Sequence, residues 1–81
     1  MSKHNDDYIP IDCGLYSEYE LAIMHKKKGK LTWYNSNHLK EIQTVEPIDI
    51  FTQDKKEYLK IRGLDNSVFD IRLDKIITFI F

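Results

Sequence analysis

The hydrophobic pattern of the chain changes its period once, at Gly29. Before this residue, apolar side chains recur with the spacing of one helix face, at Leu15, Tyr16, Tyr19, Ala22 and Ile23. After it, apolar and polar residues alternate in short runs, which is typical of half-buried strands. We therefore predict one helix within residues 13–28, followed only by strands.

Polar residues mark the expected ends of this helix. Asp12 is placed to cap its first turn, and Ser17 with Glu20 forms a second, later capping box. The three lysines of residues 26–28 suit a last helical turn, because cations are favoured at a helix C-terminus. Gly29 suits the position just past the end. The pattern predicts about three turns of helix.

Five strand segments follow, over residues 31–34, 42–52, 58–62, 68–73 and 76–81. Pro47 makes the second of these either one bent strand or two pieces. Alternation predicts that the inward-facing side chains of the next two strands are Leu59, Ile61, Phe69, Ile71 and Leu73. The last segment is apolar on both faces, so we expect it to pair inside the sheet, under the helix, with an exposed oligomer contact as the alternative.

One helix followed by five closely spaced strands indicates an α+β fold, with an N-terminal helix packed on a small, strongly bent antiparallel sheet or barrel. A closed barrel would also remove exposed edges. With 81 residues, the chain is long enough for one core and one domain, residues 1–81, of which we expect residues 1–7 to be frayed.

Charge and cysteine content restrict the partners and the compartment. The formal net charge is −1, which argues against a general nucleic-acid coat protein. Residues 1–20 carry five carboxylates against one lysine, whereas four lysines lie within residues 26–30. The single cysteine, Cys13, excludes an internal disulfide, and no apolar stretch is long enough to span a bilayer. We expect a cytoplasmic protein with no membrane partner.

The sequence offers no constellation that catalysis would need. His4, His25 and His38 have no metal-ligand spacing with each other or with Cys13, and the three glycines are isolated. We therefore expect a protein that is not an enzyme and holds no metal or cofactor. Trp33 and Tyr34 could stack on nucleic-acid bases, although alternation places one of the two in the core.

Several short motifs, in their order along the chain, resemble one known family. They are residues 8–13 (YIPIDC), Tyr16, residues 20–22 (ELA), residues 57–59 (EYL) and residues 72–76 (RLDKI). In this order they resemble the Rof family, also known as YaeO, of bacterial Rho-binding antiterminators. Members often carry an acidic pair just after the cysteine, where this chain has Gly14 and Leu15.

The resemblance implies an Sm-like fold, in which an N-terminal helix packs on a five-stranded bent barrel. It also implies that the chain, as a monomer, binds the N-terminal RNA-binding domain of the termination factor Rho, blocks its RNA loading and inhibits Rho-dependent termination. An acidic surface can compete for a basic RNA-binding groove. The partner-binding residues expected from this are Asp12, Tyr16, Ser17 and Glu18, with Asp54, Lys55 and Lys56 as a second patch.

Two other functions stay open. The first is a direct single-stranded RNA-binding module, because Sm-like barrels often bind RNA and the lysines of residues 26–30 precede Trp33 and Tyr34. The second is a structural subunit of a larger complex. RNA binding by the purified protein would weaken steeply with salt, whereas a Rho inhibitor need not bind RNA.

Overall fold

A computed structural model describes residues 13–80, with Cys13 described by its backbone alone. Helix α1 spans Cys13–Met24 and is followed by strands β1 (Gly29–Tyr34), β2 (Lys40–Gln53), β3 (Lys56–Gly63) and β4 (Val68–Arg72). A short 3-10 turn, Leu73–Lys75, leads into β5 (Ile76–Ile80). The prediction of one helix within residues 13–28 and strands thereafter is confirmed, and the 3-10 turn occupies the predicted break at Asp74 and Lys75.

The five strands form one antiparallel sheet in the order β4-β3-β2-β1-β5. This confirms the α+β class. Within residues 13–80, β4 and β5 are the two edges of the sheet, so strand pairing does not close it into a barrel.

Strand β2 joins the two halves of the sheet and bends between them. Its first half pairs with β1 as far as Val45, and its second half pairs with β3 from Val45 onward. The register shifts between Pro47 and Asp49, because Pro47 has no N–H to donate to the ladder and the extra residue forms a bulge. Of the two expectations for this segment, one bent strand is therefore correct.

The predicted central position of the last strand is wrong. β1 already has β2 on one side, which leaves its other side for β5, and none of the described strands pairs with the far side of β5. Ile77 and Ile80 are accordingly 40% and 68% exposed. Phe79 faces inward and lies against Tyr19 of α1, with ring centroids 6.2 Å apart, so the helix does contact this strand.

The core lies between α1 and the inner face of the sheet. Its buried members are Tyr19, Leu31, Trp33, Val45, Leu59, Ile61, Ile71 and Leu73. Four of the five side chains predicted to face inward are therefore buried. Phe69 is half-buried and packs on Trp33 at the margin of the core, with centroids 5.9 Å apart. Leu15, which the helical spacing placed on the apolar face, is exposed.

The C-terminus of α1 differs from its prediction. The helix ends at Met24, and Lys26, with φ of 53°, takes the left-handed position that follows it. The Lys26 N–H donates to the Ile23 carbonyl, and the Lys27 N–H donates to the Ala22 carbonyl, which is the Schellman arrangement. Gly29 is not the cap: it is the buried first residue of β1 and pairs with Val45.

We expect Lys26→Gly to raise the free energy of unfolding by about 1 kcal/mol, because glycine adopts positive φ without the Cβ clash that lysine has there. Urea unfolding followed by circular dichroism measures the change. Lys28→Gly is the matched control: Lys28 lacks a positive φ, so glycine there adds flexibility to the unfolded chain and gives no gain. Equal effects at both positions would contradict the assigned cap.

Candidate functional site

Tyr16 stands at the centre of an acidic surface that α1 shares with the sheet. Its ring is half-buried against the core. Burial raises the pKa of its phenol, and the carboxylates of Glu57, Glu20 and Asp49 raise it further. These three carboxylates belong to β3, α1 and β2 respectively. The fold therefore collects negative charge around one tyrosine from three elements that are distant in sequence. We call Tyr16, Glu20, Asp49 and Glu57, together with the exposed Glu18 of the same helix, the acidic surface.

Ser17 and Glu18 lie on the exposed side of α1, beside Tyr16 in the chain. The neighbouring Tyr19 points the other way, into the core. Burial raises the pKa of Tyr19 to about 12, and the Glu18 carboxylate adds to the effect. Ser17 and Glu18 are therefore exposed on α1, and their contact with a partner stays a prediction. The predictions for Asp12 and for residues 1–7 lie outside the described residues.

The second predicted patch is the turn between β2 and β3. Asp54 and Lys55 are its two central residues, with φ of 53° and 65°, and Gln53 pairs with Lys56 to close it. Two central residues with positive φ make a type I′ turn, which favours asparagine and glycine. Lys56 begins β3 and is followed by Glu57, whose carboxylate acts on Tyr16. The start of β3 therefore lies within electrostatic range of Tyr16 on α1.

Trp33 and Tyr34, which follow the lysines of residues 26–30, point to opposite faces of β1. Trp33 is 6% exposed and belongs to the core, whereas Tyr34 is 41% exposed. One of the two was predicted to be core, which is confirmed. Lys30 and Tyr34 are exposed at alternate positions of β1, so they share its outer face. Trp33 is thus not presented on that face to stack on bases.

A groove of about 730 Å³ opens on the described surface. Aromatic side chains line it, and they come from three strands: Trp33, Tyr34, Tyr58 and Phe69. Polar residues of the turn after β1 and of β4 form its rim. The sequence did not indicate this groove, because strand order rather than local pattern brings these residues together. None of the described residues predicted to bind Rho lines it, whereas Trp33 and Tyr34, the candidate base-stacking pair, both do.

Within the described part of the chain, no cluster of three or more histidine, cysteine, aspartate and glutamate side chains could hold a metal ion. No helix of residues 13–80 is long and apolar enough to cross a membrane. Comparisons with protein-family models, with curated protein sequences and with solved structures give no match. What the structure defines is a small α+β protein with an acidic surface on its helical side and an aromatic groove.

Proposed function

We propose that the protein is a member of the Rof family. In this proposal it binds the N-terminal RNA-binding domain of Rho in the cytoplasm, blocks RNA loading and so inhibits Rho-dependent termination. The sheet is proposed to be the Sm-like barrel of that family. Three features support this finer fold: the helix precedes the strands, β2 is long and bent, and β1 lies between β2 and β5.

The acidic surface is the observation that carries the proposal. A site that tracks single-stranded RNA is a basic groove with stacking platforms. Carboxylates of α1, β2 and β3 around the half-buried Tyr16 ring present the opposite charge. Such complementarity steers association and lets a protein occupy the site in place of RNA. Tyr16 adds a rigid aromatic ring with a polar tip, a residue type that is enriched at interfaces.

Reversal of one exposed charge tests this directly. We expect Glu18→Lys to weaken binding to the isolated Rho N-terminal domain about tenfold, or about 1.4 kcal/mol, and to make binding less sensitive to salt. Isothermal titration calorimetry at 50 and 200 mM salt measures both effects. Combination with Asp12→Asn, which can keep a helix cap, should deepen the loss and restore Rho-dependent termination in a transcription assay.

Asp70→Lys is the matched control, because Asp70 is an exposed strand carboxylate outside the acidic surface. It should bind Rho as the parent does. If Glu18→Lys with Asp12→Asn melts at the parent temperature and still binds and inhibits Rho, the acidic surface is not the contact. If Asp70→Lys abolishes Rho binding instead, the contact lies at β4.

A direct RNA-binding module is the second candidate function, and the outer face of β1 favours it. Lys30 and Tyr34 share that face, close in sequence to the lysines of residues 26–28. Fluorescence anisotropy with labelled oligouridylate, run alongside the calorimetry, measures RNA binding by the parent protein. If the parent binds no Rho but binds oligouridylate with a steep salt dependence, the Rof proposal is wrong and this second function replaces it.

A further inference from the structure

Within residues 13–80, the edge of strand β4 that faces away from β3 has no strand beside it and runs along the aromatic groove. Among the described strands it pairs with β3 alone. Four of its five residues, Phe69 to Arg72, line the groove. An unpaired edge presents a row of backbone N–H and C=O groups, and proteins normally protect such edges against association. Here the edge lies beside an apolar depression.

The groove has an apolar floor. Trp33 and Ile71 form it from the core side, and Phe69 packs on Trp33 with ring centroids 5.9 Å apart. Side chains of an added strand would point alternately toward this floor and toward solvent. The floor therefore suits one or two apolar side chains of an extended chain.

The opposite wall is the turn after β1, and Asn35 holds it in place. The Asn35 Oδ1 atom accepts hydrogen bonds from the backbone N–H groups of Asn37 and Leu39, at 2.8 and 3.1 Å. Its Nδ2 atom donates to Glu41 at 2.8 Å. Because the wall is fixed before any ligand arrives, binding would cost little ordering entropy.

The charges of the rim disfavour a phosphate chain. Arg72 donates twice to Asp74, at 2.6 and 3.0 Å, so its cation is already engaged. Two carboxylates, Asp70 and Glu41, stand at the groove beside the one ammonium of Lys75. A nucleic-acid strand would meet net repulsion here, whereas an uncharged or weakly basic peptide would not.

We propose that the groove binds an extended peptide segment of a partner protein, which adds to β4 as a sixth strand. Backbone hydrogen bonds along about 17 Å of strand would supply the pairing, from five residues at about 3.4 Å each. Apolar side chains on the floor would supply the selectivity. This site is separate from the acidic surface, so it goes beyond the proposed Rho contact.

The probe is a display library of random heptapeptides, from which the strongest binders are synthesised with blocked ends. Trp33, the single tryptophan of the chain, lies on the floor and reports binding through its fluorescence. Gln43→Tyr should weaken the selected peptides at least tenfold, because Gln43 lines the groove and a larger ring narrows it. Thr44→Tyr is the matched control, since the next residue of β2 is exposed on the opposite face, and it should bind within twofold of the parent.

Backbone methylation distinguishes strand addition from simple filling of the groove. An added strand pairs with β4 through every second N–H group of its backbone. N-methylation of those alternate amides of the selected peptide should therefore reduce its affinity at least tenfold, whereas N-methylation of the intervening amides should not. The Gln43→Tyr variant should still bind the Rho domain with the affinity of the parent. Failure of this proposal can therefore be told apart from failure of the Rho proposal. Four results would overturn strand addition: equal binding of both methylated series, no selected peptide sensitive to Gln43→Tyr, displacement by oligouridylate, or self-association of the protein that Gln43→Tyr abolishes.

Discussion

Leu59→Ala is expected to lower the free energy of unfolding by about 2–5 kcal/mol, the range for a buried leucine that leaves a cavity. Leu59 is fully buried at the centre of β3. It pairs with Ile50 of β2 on one side and with Ile71 of β4 on the other, so one row of the inner face depends on it. The total free energy of unfolding of a domain of this size is about 5–15 kcal/mol, so this one substitution removes a large share of it.

Urea unfolding followed by circular dichroism measures the loss. Leu39→Ala is the matched control, because Leu39 is 62% exposed in the turn after β1 and its truncation should stay within about 0.5 kcal/mol of the parent. Leu59→Met conserves volume and should cost less than about 1.5 kcal/mol, which keeps the comparison measurable if the alanine variant does not fold. Equal costs for Leu39→Ala and Leu59→Ala would mean that the inner face of β3 is wrongly assigned.

Local pattern predicted the elements of the fold well, because each element satisfies its own period. The alternation around Leu59 and Ile61 identified the inner face of β3, and isolated polar stretches identified the turns. The end of α1 was predicted less well. Glycine is the usual residue in the left-handed position after a helix, yet pairing with Val45 draws Gly29 into β1 and leaves that position to Lys26. A tertiary contact overrode a local preference.

Position within the sheet is a property that local pattern does not contain. The segment Ile76–Ile80 is apolar on both faces, which in isolation indicates a central strand. The order of pairing instead places it at an edge. The candidate sites show the same limit. Tyr16 and Glu18 were recognisable in the sequence, whereas Asp49 and Glu57 join them only through the packing of α1 near β2 and β3.

The stability of the protein should fall as pH rises above 10, and Tyr19 should account for a measurable part of the fall. Burial raises the pKa of Tyr19 from 10.0 to about 12, and the Glu18 carboxylate contributes. The raised value means that folding favours the protonated phenol. Its contribution is therefore complete below the unfolded pKa of 10 and is lost between pH 10 and 12, as the unfolded chain releases the proton first.

At pH 11, Tyr19 is about ten parts ionised to one part neutral in the unfolded chain, and the reverse in the folded protein. This difference lowers the free energy of unfolding by about 1.4 kcal/mol. Tyr19→Phe has no proton to release. Its own packing cost is the same at pH 8 and pH 11, so it cancels when each variant is compared with itself. We therefore expect the parent to lose about 1.4 kcal/mol more than Tyr19→Phe between these two pH values, measured by urea unfolding. If both proteins lose the same amount, the Tyr19 hydroxyl ionises as easily in the folded protein as in the unfolded chain, and the packing of α1 around it is looser than described.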